Sequence, residues 1–294
     1  MFATKQSLHI LQAASTIFIV ALYSINTIMR RDPHYILDAF GDISLALKSR
    51  SLWMALGWND VRSRYHRSKL GAFWASLSIL IFVSALGPIY SNLLGISLRE
   101  YTTHLMLGLM LWGYISSIVL ESGREYINST NYLVSFRLSY FTLLMRVVWR
   151  NLVVFLYQLI VFIALALILQ LPITVSWIIA PFALLAITMV ALWMALLMSV
   201  FATRFRDLSE LMNNLLRLVF FVTPIMWIPS PNTQLSLVAD LNPFYHLIEV
   251  FRAPVLTGDI NLQNWIVVSA LLFVGWLIAF PVFATFRSRI AFWL

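Results

Sequence analysis

Side chains able to make or break bonds are few in this sequence and far apart. The five histidines, His9, His34, His66, His104 and His246, are widely separated, so a metal site would need assembly by the fold. The 12 Asp and Glu are scattered, with no pair at helical spacing deep within one apolar run. No His-Glu-x-x-His, Gly-x-Ser-x-Gly or Gly-x-x-x-x-Gly-Lys-[Ser/Thr] occurs, so no zinc-peptidase helix, nucleophile elbow or nucleotide-cradling loop is predicted. Without cysteine there is no disulfide, iron–sulfur cluster or thiolate-ligated zinc. The expectation is therefore no catalytic residue, no metal and no cofactor in this chain, with any ATP bound and split by another.

What remains is binding chemistry. Arg217 falls about two turns into an apolar run, where insertion costs roughly 2.5–3.5 kcal/mol at mid-membrane. Two readings stay open: a guanidinium facing a bundle interior or watery path, with Glu210 seven residues earlier on the same face, or one reaching back to the headgroups. Glu121, near the end of another run, has the same two readings. Trp112, Tyr114, Phe220, Phe221, Trp227, Phe244 and Tyr245 fall on or near the outward halves of their segments. Such rings can offer a sliding face to sugars, but Trp and Tyr also anchor helices at bilayer interfaces. The residues alone favour anchoring.

The elements that must position these groups are set by composition. The chain has 294 residues, 61% hydrophobic and 11% charged, against about 25% charged in soluble domains. It is therefore predicted to be an all-α polytopic membrane protein. The net charge of +8 reads as cytoplasmic loop charge rather than a nucleic-acid footprint. Solvent changes from water to lipid at Arg62–Trp74, Arg-Ser-Arg-Tyr-His-Arg-Ser-Lys-Leu-Gly-Ala-Phe-Trp. Upstream, from Ser44, the pattern is amphipathic, with Leu45, Leu52, Trp53 and Leu56 able to share one side. Lys48, Arg50, Arg62, Arg64, Arg67 and Lys69 stand against the single acid Asp60, as expected of a cytoplasmic interface helix. Residues 1–43 read as an N-terminal extension and 44–294 as the membrane domain. Within 1–29, three readings remain open: an extra span, an uncharged interfacial helix, or an untranslated stretch before a start at Met29.

Six apolar runs follow: Phe73–Leu94, His104–Ser122, Leu143–Leu169, Val175–Phe201, Leu211–Ile228 and Trp265–Phe286. Placing 30–69 inside puts 123–150, 202–209 and 287–294 inside too. Those regions hold sixteen of the 20 Lys and Arg, whereas the outside loops hold only Arg99 and Arg252. This asymmetry predicts a cytoplasmic C-terminus. Pro224, Pro229 and Pro231 break the fifth run near the outer face. Asn242-Pro243 then reads as an N-cap with proline at the first helical position, and Gly258 as the C-terminal stop. The helix between them spans only ~22 Å, which predicts short re-entrant elements at the outer mouth.

Three stretches resemble the membrane subunit of ABC-2-type polysaccharide exporters, the O-antigen and capsule permeases of Wzm and KpsM type. They are Arg64-Tyr65-His66-Arg67-Ser68-Lys69-Leu70-Gly71-Ala72-Phe73-Trp74; Phe205-Arg206-Asp207-Leu208 followed by Thr223-Pro224-Ile225; and Asn242-Pro243 followed by Arg252 and Gly258. Order and spacing agree over about 58–294. The resemblance implies a six-span ABC-2-type domain in the bacterial inner membrane with periplasmic gate helices. It implies a homodimer with two separate ATP-binding subunits, which bind ATP and Mg, and an undecaprenyl-diphosphate-linked polysaccharide as cargo. It implies that Arg62, Arg64, Arg67 and Lys69 meet the lipid diphosphate at a cytoplasmic entry beside 48–69. Arg124, Glu125, Arg137, Arg204, Arg206 and Asp207 would couple to the ATPase. Arg217, Trp112, Phe220, Trp227, Asn242, Phe244, Tyr245 and Arg252 would line the channel and its gate. The alternatives are the same fold exporting another lipid-linked polymer or a small drug, and a membrane-embedded glycosyl- or acyltransferase. The transferase should carry an Asp-x-Asp or His-x-x-x-x-Asp constellation, and neither is present.

Overall fold

A computed structural model describes residues 35–66, 68, 70–136, 138–229 and 234–294. The expectations for 1–29 and for Arg67, Lys69, Arg137 and Pro231 lie outside the described residues. Among those described, the regular structure is entirely helical: α1 (Tyr35–Lys48), α2 (Arg50–Arg64), α3 (Phe73–Leu94), α4 (Leu98–Asn128), α5 (Thr130–Ser135), α6 (Tyr140–Ile168), a 3-10 turn (Val175–Ile179), α7 (Ala180–Arg204), α8 (Leu208–Val222), α9 (Gln234–Leu241), α10 (Pro243–Leu256) and α11 (Leu262–Trp293). Helices are the form in which an apolar segment satisfies its own backbone without water. Five stretches are long and apolar enough to cross a membrane: α3, α4, α6, the 3-10 turn continued into α7, and α11.

The long central helix α4 packs against α3, α6, α7 and α8, and α7 packs in turn on α11. Helix α3 touches α4 through a narrow strip of mostly small residues, with Ser76, Val83, Gly87 and Ser91 buried. Its remaining faces are apolar and exposed, including Ile81, Phe82, Ile89 and Leu93. At Gly275 on α11 a Cβ would stand 2.2 Å from the Trp193 indole. Only a hydrogen there lets α7 and α11 approach so closely.

Three expectations change. The amphipathic stretch from Ser44 is not one helix: α1 and α2 break at Ser49, whose hydroxyl donates to the Leu45 carbonyl at 2.7 Å. Leu45 and Leu52 are exposed, and the face of α2 that docks on α6 is Trp53, Gly57 and Val61. Second, α4 continues well past Ser122 to Asn128, and most of the expected polar segment 123–140 is helical. Third, the fifth run is helical only over Leu208–Val222. Thr223 is extended (φ −81°, ψ 135°), as a residue before proline prefers.

Helix α10 carries the ends expected of it. The Asn242 side chain accepts from the Phe244 N–H at 2.9 Å, Pro243 opens the helix, and Gly258 has φ +81°, a conformation open to glycine at little cost. Helix α1 is tied to α11 by a fork from Arg287 to Asp42, Nε–Oδ2 2.7 Å and Nη2–Oδ1 3.1 Å.

Candidate functional site

One end of the bundle is organised by charge. Three helices each contribute two ionic side chains one turn apart: Asp60 and Arg64 on α2, Glu121 and Glu125 on α4, Arg146 and Arg150 on α6. Arg146 grips Asp60 along one edge of its guanidinium, Nε and Nη2 donating to the two carboxylate oxygens at 2.7 and 2.6 Å. Arg150 reaches Asp60 at 3.1 Å, Glu121 at 2.7 Å and Glu125 at 3.3 Å. Arg64 meets the other Glu121 oxygen at 2.8 Å, the Asn151 amide donates to Glu121 at 2.8 Å, and the Ser129 hydroxyl donates to Glu125 at 3.1 Å. Three cations and three anions thus close a neutral network in which the Glu125 side chain is only 5% exposed. Such a network is tolerated in a low-dielectric site because nearly every oxygen has a donor. It locks α2 to α4 and α6, and the absence of a side chain at Gly57 lets it close. A Cβ there would lie 2.9 Å from the Trp149 ring and 3.0 Å from the Arg146 carbonyl.

Beside this network is an open cleft of about 600 Å³ bordered by Arg64, Glu121, Arg124, Asn128, Tyr132, Glu210 and Asn213. An exposed Arg124–Glu210 pair bridges α4 to α8 across it. Leu120 and Asn213 also line a smaller hollow of about 300 Å³, further along the same two helices, with Trp112, Ser116, Leu216, Arg217, Phe220 and Phe221. Beyond it the rings continue: Trp112 lies 5.8 Å from Phe220 and 5.4 Å from Phe244, centroid to centroid.

Helix α8 therefore presents three faces. Ser209, Met212, Leu216 and Val219 turn toward the core; Leu211, Leu215, Leu218 and Val222 form an exposed apolar stripe. Between them runs a face of Glu210, Asn213, Asn214, Arg217, Phe220 and Phe221, polar at the charged end and aromatic at the other.

The far end is organised around broken backbone. Pro224 and Met226 lie outside any helix, so their carbonyls need donors. Arg252, 2% exposed, donates to the Pro224 carbonyl at 3.0 Å and pairs with Glu249. Its Nη1 also lies 3.0 Å from His104 Nε2. The Tyr101 hydroxyl donates to the Met226 carbonyl at 2.8 Å, and the Asn242 amide donates to the Thr223 hydroxyl at 2.9 Å. Irregular backbone persists here because protein side chains supply partners to the carbonyls freed at Pro224 and Met226. An open cleft of about 620 Å³ flanks it, lined by Arg99, Glu100, Tyr245, Glu249 and Asp259 among others. Burial and the neighbouring Glu249 carboxylate push the Tyr245 phenol up to about 12.

Of the residues singled out from sequence, Arg62 and Arg64 lie exposed near the charged end, Arg64 as part of the network. Glu125 is buried inside that network. Arg204, Arg206 and Asp207 are exposed at the α7–α8 turn, where Arg204 stacks on the Phe205 and Trp293 rings. Trp112, Phe220 and Phe244 come together as one ring cluster, with Trp112 itself only 8% exposed. Trp227 donates to the Phe221 carbonyl at 3.2 Å. Tyr114 is a core residue, its hydroxyl 2.9 Å from Thr188. Glu210 does not pair with Arg217, because Arg124 holds it. Glu121 and Glu125 share a face at the end of α4, because the helix runs on to Asn128; no acidic pair lies deep within a span among the described residues. Asp60, Glu121, Arg146, Arg150, Tyr101 and His104 were not identified as a set. The one-turn spacings Asp60–Arg64, Glu121–Glu125 and Arg146–Arg150 were the signal that could have found the first four.

Comparison with known proteins now bears on this arrangement. A family model, ABC-2 type transporter, matches residues 51–256, from the first turn of α2 to the last residue of α10. The chain is 24% identical over 210 residues to the O-antigen export system permease protein RfbA of Myxococcus xanthus, covering 69% of this chain and 80% of that relative. The match spans well over half the sequence, includes the charged-end cleft, the strip leading from it and most of the second cleft's lining, and agrees with a helical, multi-span body. The chain belongs to the ABC-2 type transporter family, whose permeases work with ABC ATP-binding partners, and is a multi-pass membrane permease.

Proposed function

We propose that this chain is the membrane-spanning subunit of an ATP-driven exporter in the bacterial inner membrane. Its cargo is a polysaccharide on an undecaprenyl-diphosphate carrier, O-antigen or capsule, moved from cytoplasm to periplasm. The observation that carries this reading is the continuous face along α4 and α8, polar near the charged end and aromatic toward the far cleft. Ring faces hold successive sugars by stacking without one deep well, and a well would stall a long polymer. The relative's name, an O-antigen export permease, supports the cargo class.

Six crossings follow if α8 and its extension count as one. Glu210 is level with Arg124, and Met226 with Tyr101, so the segment travels the stretch of α4 from Arg124 to Tyr101, about 34 Å at helical rise. The charged end, rich in Arg, is then cytoplasmic together with the C-terminus. Two copies assemble, the apolar stripe of α8 meeting its counterpart. Two ATP-binding subunits, carrying ATP and Mg, dock where Phe136, Phe205, Arg206 and Asp207 stand exposed. A push there reaches α4 through Arg124–Glu210, and a push on α2 reaches it through the buried ion network. Arg62 and Arg64 meet the carrier diphosphate at the entry, since guanidinium groups suit phosphate.

Deletion of the chain should strip the glycan from the cell surface and leave its lipid-linked form inside, with recovery on re-expression. The purified chain should bring an ATP-binding subunit with it. A chain that alters a lipid-linked glycan by itself, with no such partner, would overturn the proposal.

A further inference from the structure

We infer that the hollow at Arg217 is a binding site for an anionic group borne on or next to a sugar ring, a phosphate or a carboxylate. The inference rests on the export reading and adds to it a residue-level site and a charge requirement. Arg217 lies on α8 beside Ser116 of α4, which stands twelve residues before the α4 terminus Asn128, about 18 Å into the bundle at helical rise. A guanidinium at that depth costs roughly 2.5–3.5 kcal/mol to insert, and such a group normally has a partner. Among the described residues Arg217 has neither an ion pair nor a hydrogen bond, and the nearest acid on its own face, Glu210, is held by Arg124.

The walls agree with that vacancy of charge. No carboxylate lines the hollow of about 300 Å³, which offers the exposed guanidinium, the Asn213 amide, the Ser116 hydroxyl and the rings of Trp112, Phe220 and Phe221. It is therefore net positive, unlike the charged-end network, where each arginine meets a carboxylate. A cation beside an amide donor recognises phosphate or carboxylate oxygens, and adjacent ring faces take the apolar face of a pyranose. The volume suits one such residue of a chain rather than a whole polymer.

The test uses the full chain with its ATP-binding subunit in lipid nanodiscs. Binding is measured for farnesyl diphosphate, for an oligoglucuronate and for neutral maltohexaose. At least one anionic probe should bind more tightly than maltohexaose. Arg217→Gln should weaken that probe at least tenfold, and Arg217→Lys less than threefold. Asn213→Ala should weaken it about threefold, which decides the matter if Arg217→Gln fails to accumulate; an unchanged affinity there would count against the site. Binding of the diphosphate alone assigns the site to the carrier, and of the glucuronate alone to an acidic polymer; both uphold it. Anionic probes that bind no better than maltohexaose, or equal binding by Arg217→Gln, overturn it, as does restoration of Arg217 to an ion pair with a second copy. Surface glycan is scored in the deletion strain alongside. If deletion leaves it in place, the export reading fails; if deletion removes it while Arg217→Gln binds as wild type, only the anion site fails.

Discussion

Asp60→Asn removes one charge from the network while preserving shape, and its effect can be worked from the geometry. Asp60 accepts from Arg146 Nη2 and Nε at 2.6 and 2.7 Å and from Arg150 at 3.1 Å. Removing one member of a fully buried pair costs about 3–5 kcal/mol, mostly from the charge left behind. Here the Asp60 side chain keeps 20% exposure, and Arg146 retains Glu125 at 3.5 Å, so about 2–3 kcal/mol is expected for undocking α2. The chain contains no cysteine, so a single Val61→Cys on the docked face of α2, where Val61 is 7% exposed, reports that opening directly. In the Asp60→Asn background, maleimide should label the thiol introduced at position 61 about 30- to 150-fold faster, each 1.4 kcal/mol being a factor of ten. The double change Asp60→Asn with Arg146→Gln should label less than twice as fast as the worse single change, because both break the same contact. Labelling within threefold of the parent would refute the view that the network holds α2.

Other consequences can be measured on the same scale. Arg252→Gln strands the Pro224 carbonyl and the Glu249 carboxylate in a buried site. It should cost about 3 kcal/mol or more, read as a fall in thermal midpoint and loss of chain from the membrane. Gly275→Ala drives a methyl group into the Trp193 ring. It should destabilise by about 1–3 kcal/mol, and Trp193→Ala in the same chain should recover part of the loss. Replacing both Arg206 and Asp207 by Ala, at an exposed turn with no buried contact, should leave the amount of chain unchanged and abolish surface glycan. Normal export would remove the docking role assigned to that turn.

Much of this was legible from residue types. Lipid forces long apolar runs into helices, so the spans and the α10 caps at Asn242 and Gly258 follow from composition and local turn chemistry. The charged end was harder. Glu125 sits in a sequence that looks like a polar loop, Gly-Arg-Glu-Tyr, and only the continuation of α4 to Asn128 places it over Glu121. Asp60, Arg146 and Arg150 meet across 86 to 90 residues of sequence, a contact that one-dimensional spacing suggests but does not select. The break at Ser49 is held by local bonds, the Ser49 hydroxyl donating to the Leu45 carbonyl at 2.7 Å and the Trp53 indole to the Ala46 carbonyl at 2.9 Å. The resemblance only implies a place at the gate for Arg252. Its physical task, donating to backbone freed by Pro224, required the fold.

The most direct measurement places single cysteines along the proposed route. Ser116→Cys and Asn213→Cys line the strip between the two clefts, while Phe273→Cys lies on an apolar, 69% exposed face of α11. A membrane-impermeant maleimide applied from the cytoplasmic side should react at 116 and 213 and stop glycan from reaching the surface. Position 273 should stay unreactive, with export unchanged. Continued export with 116 and 213 fully modified would contradict a route along α4 and α8.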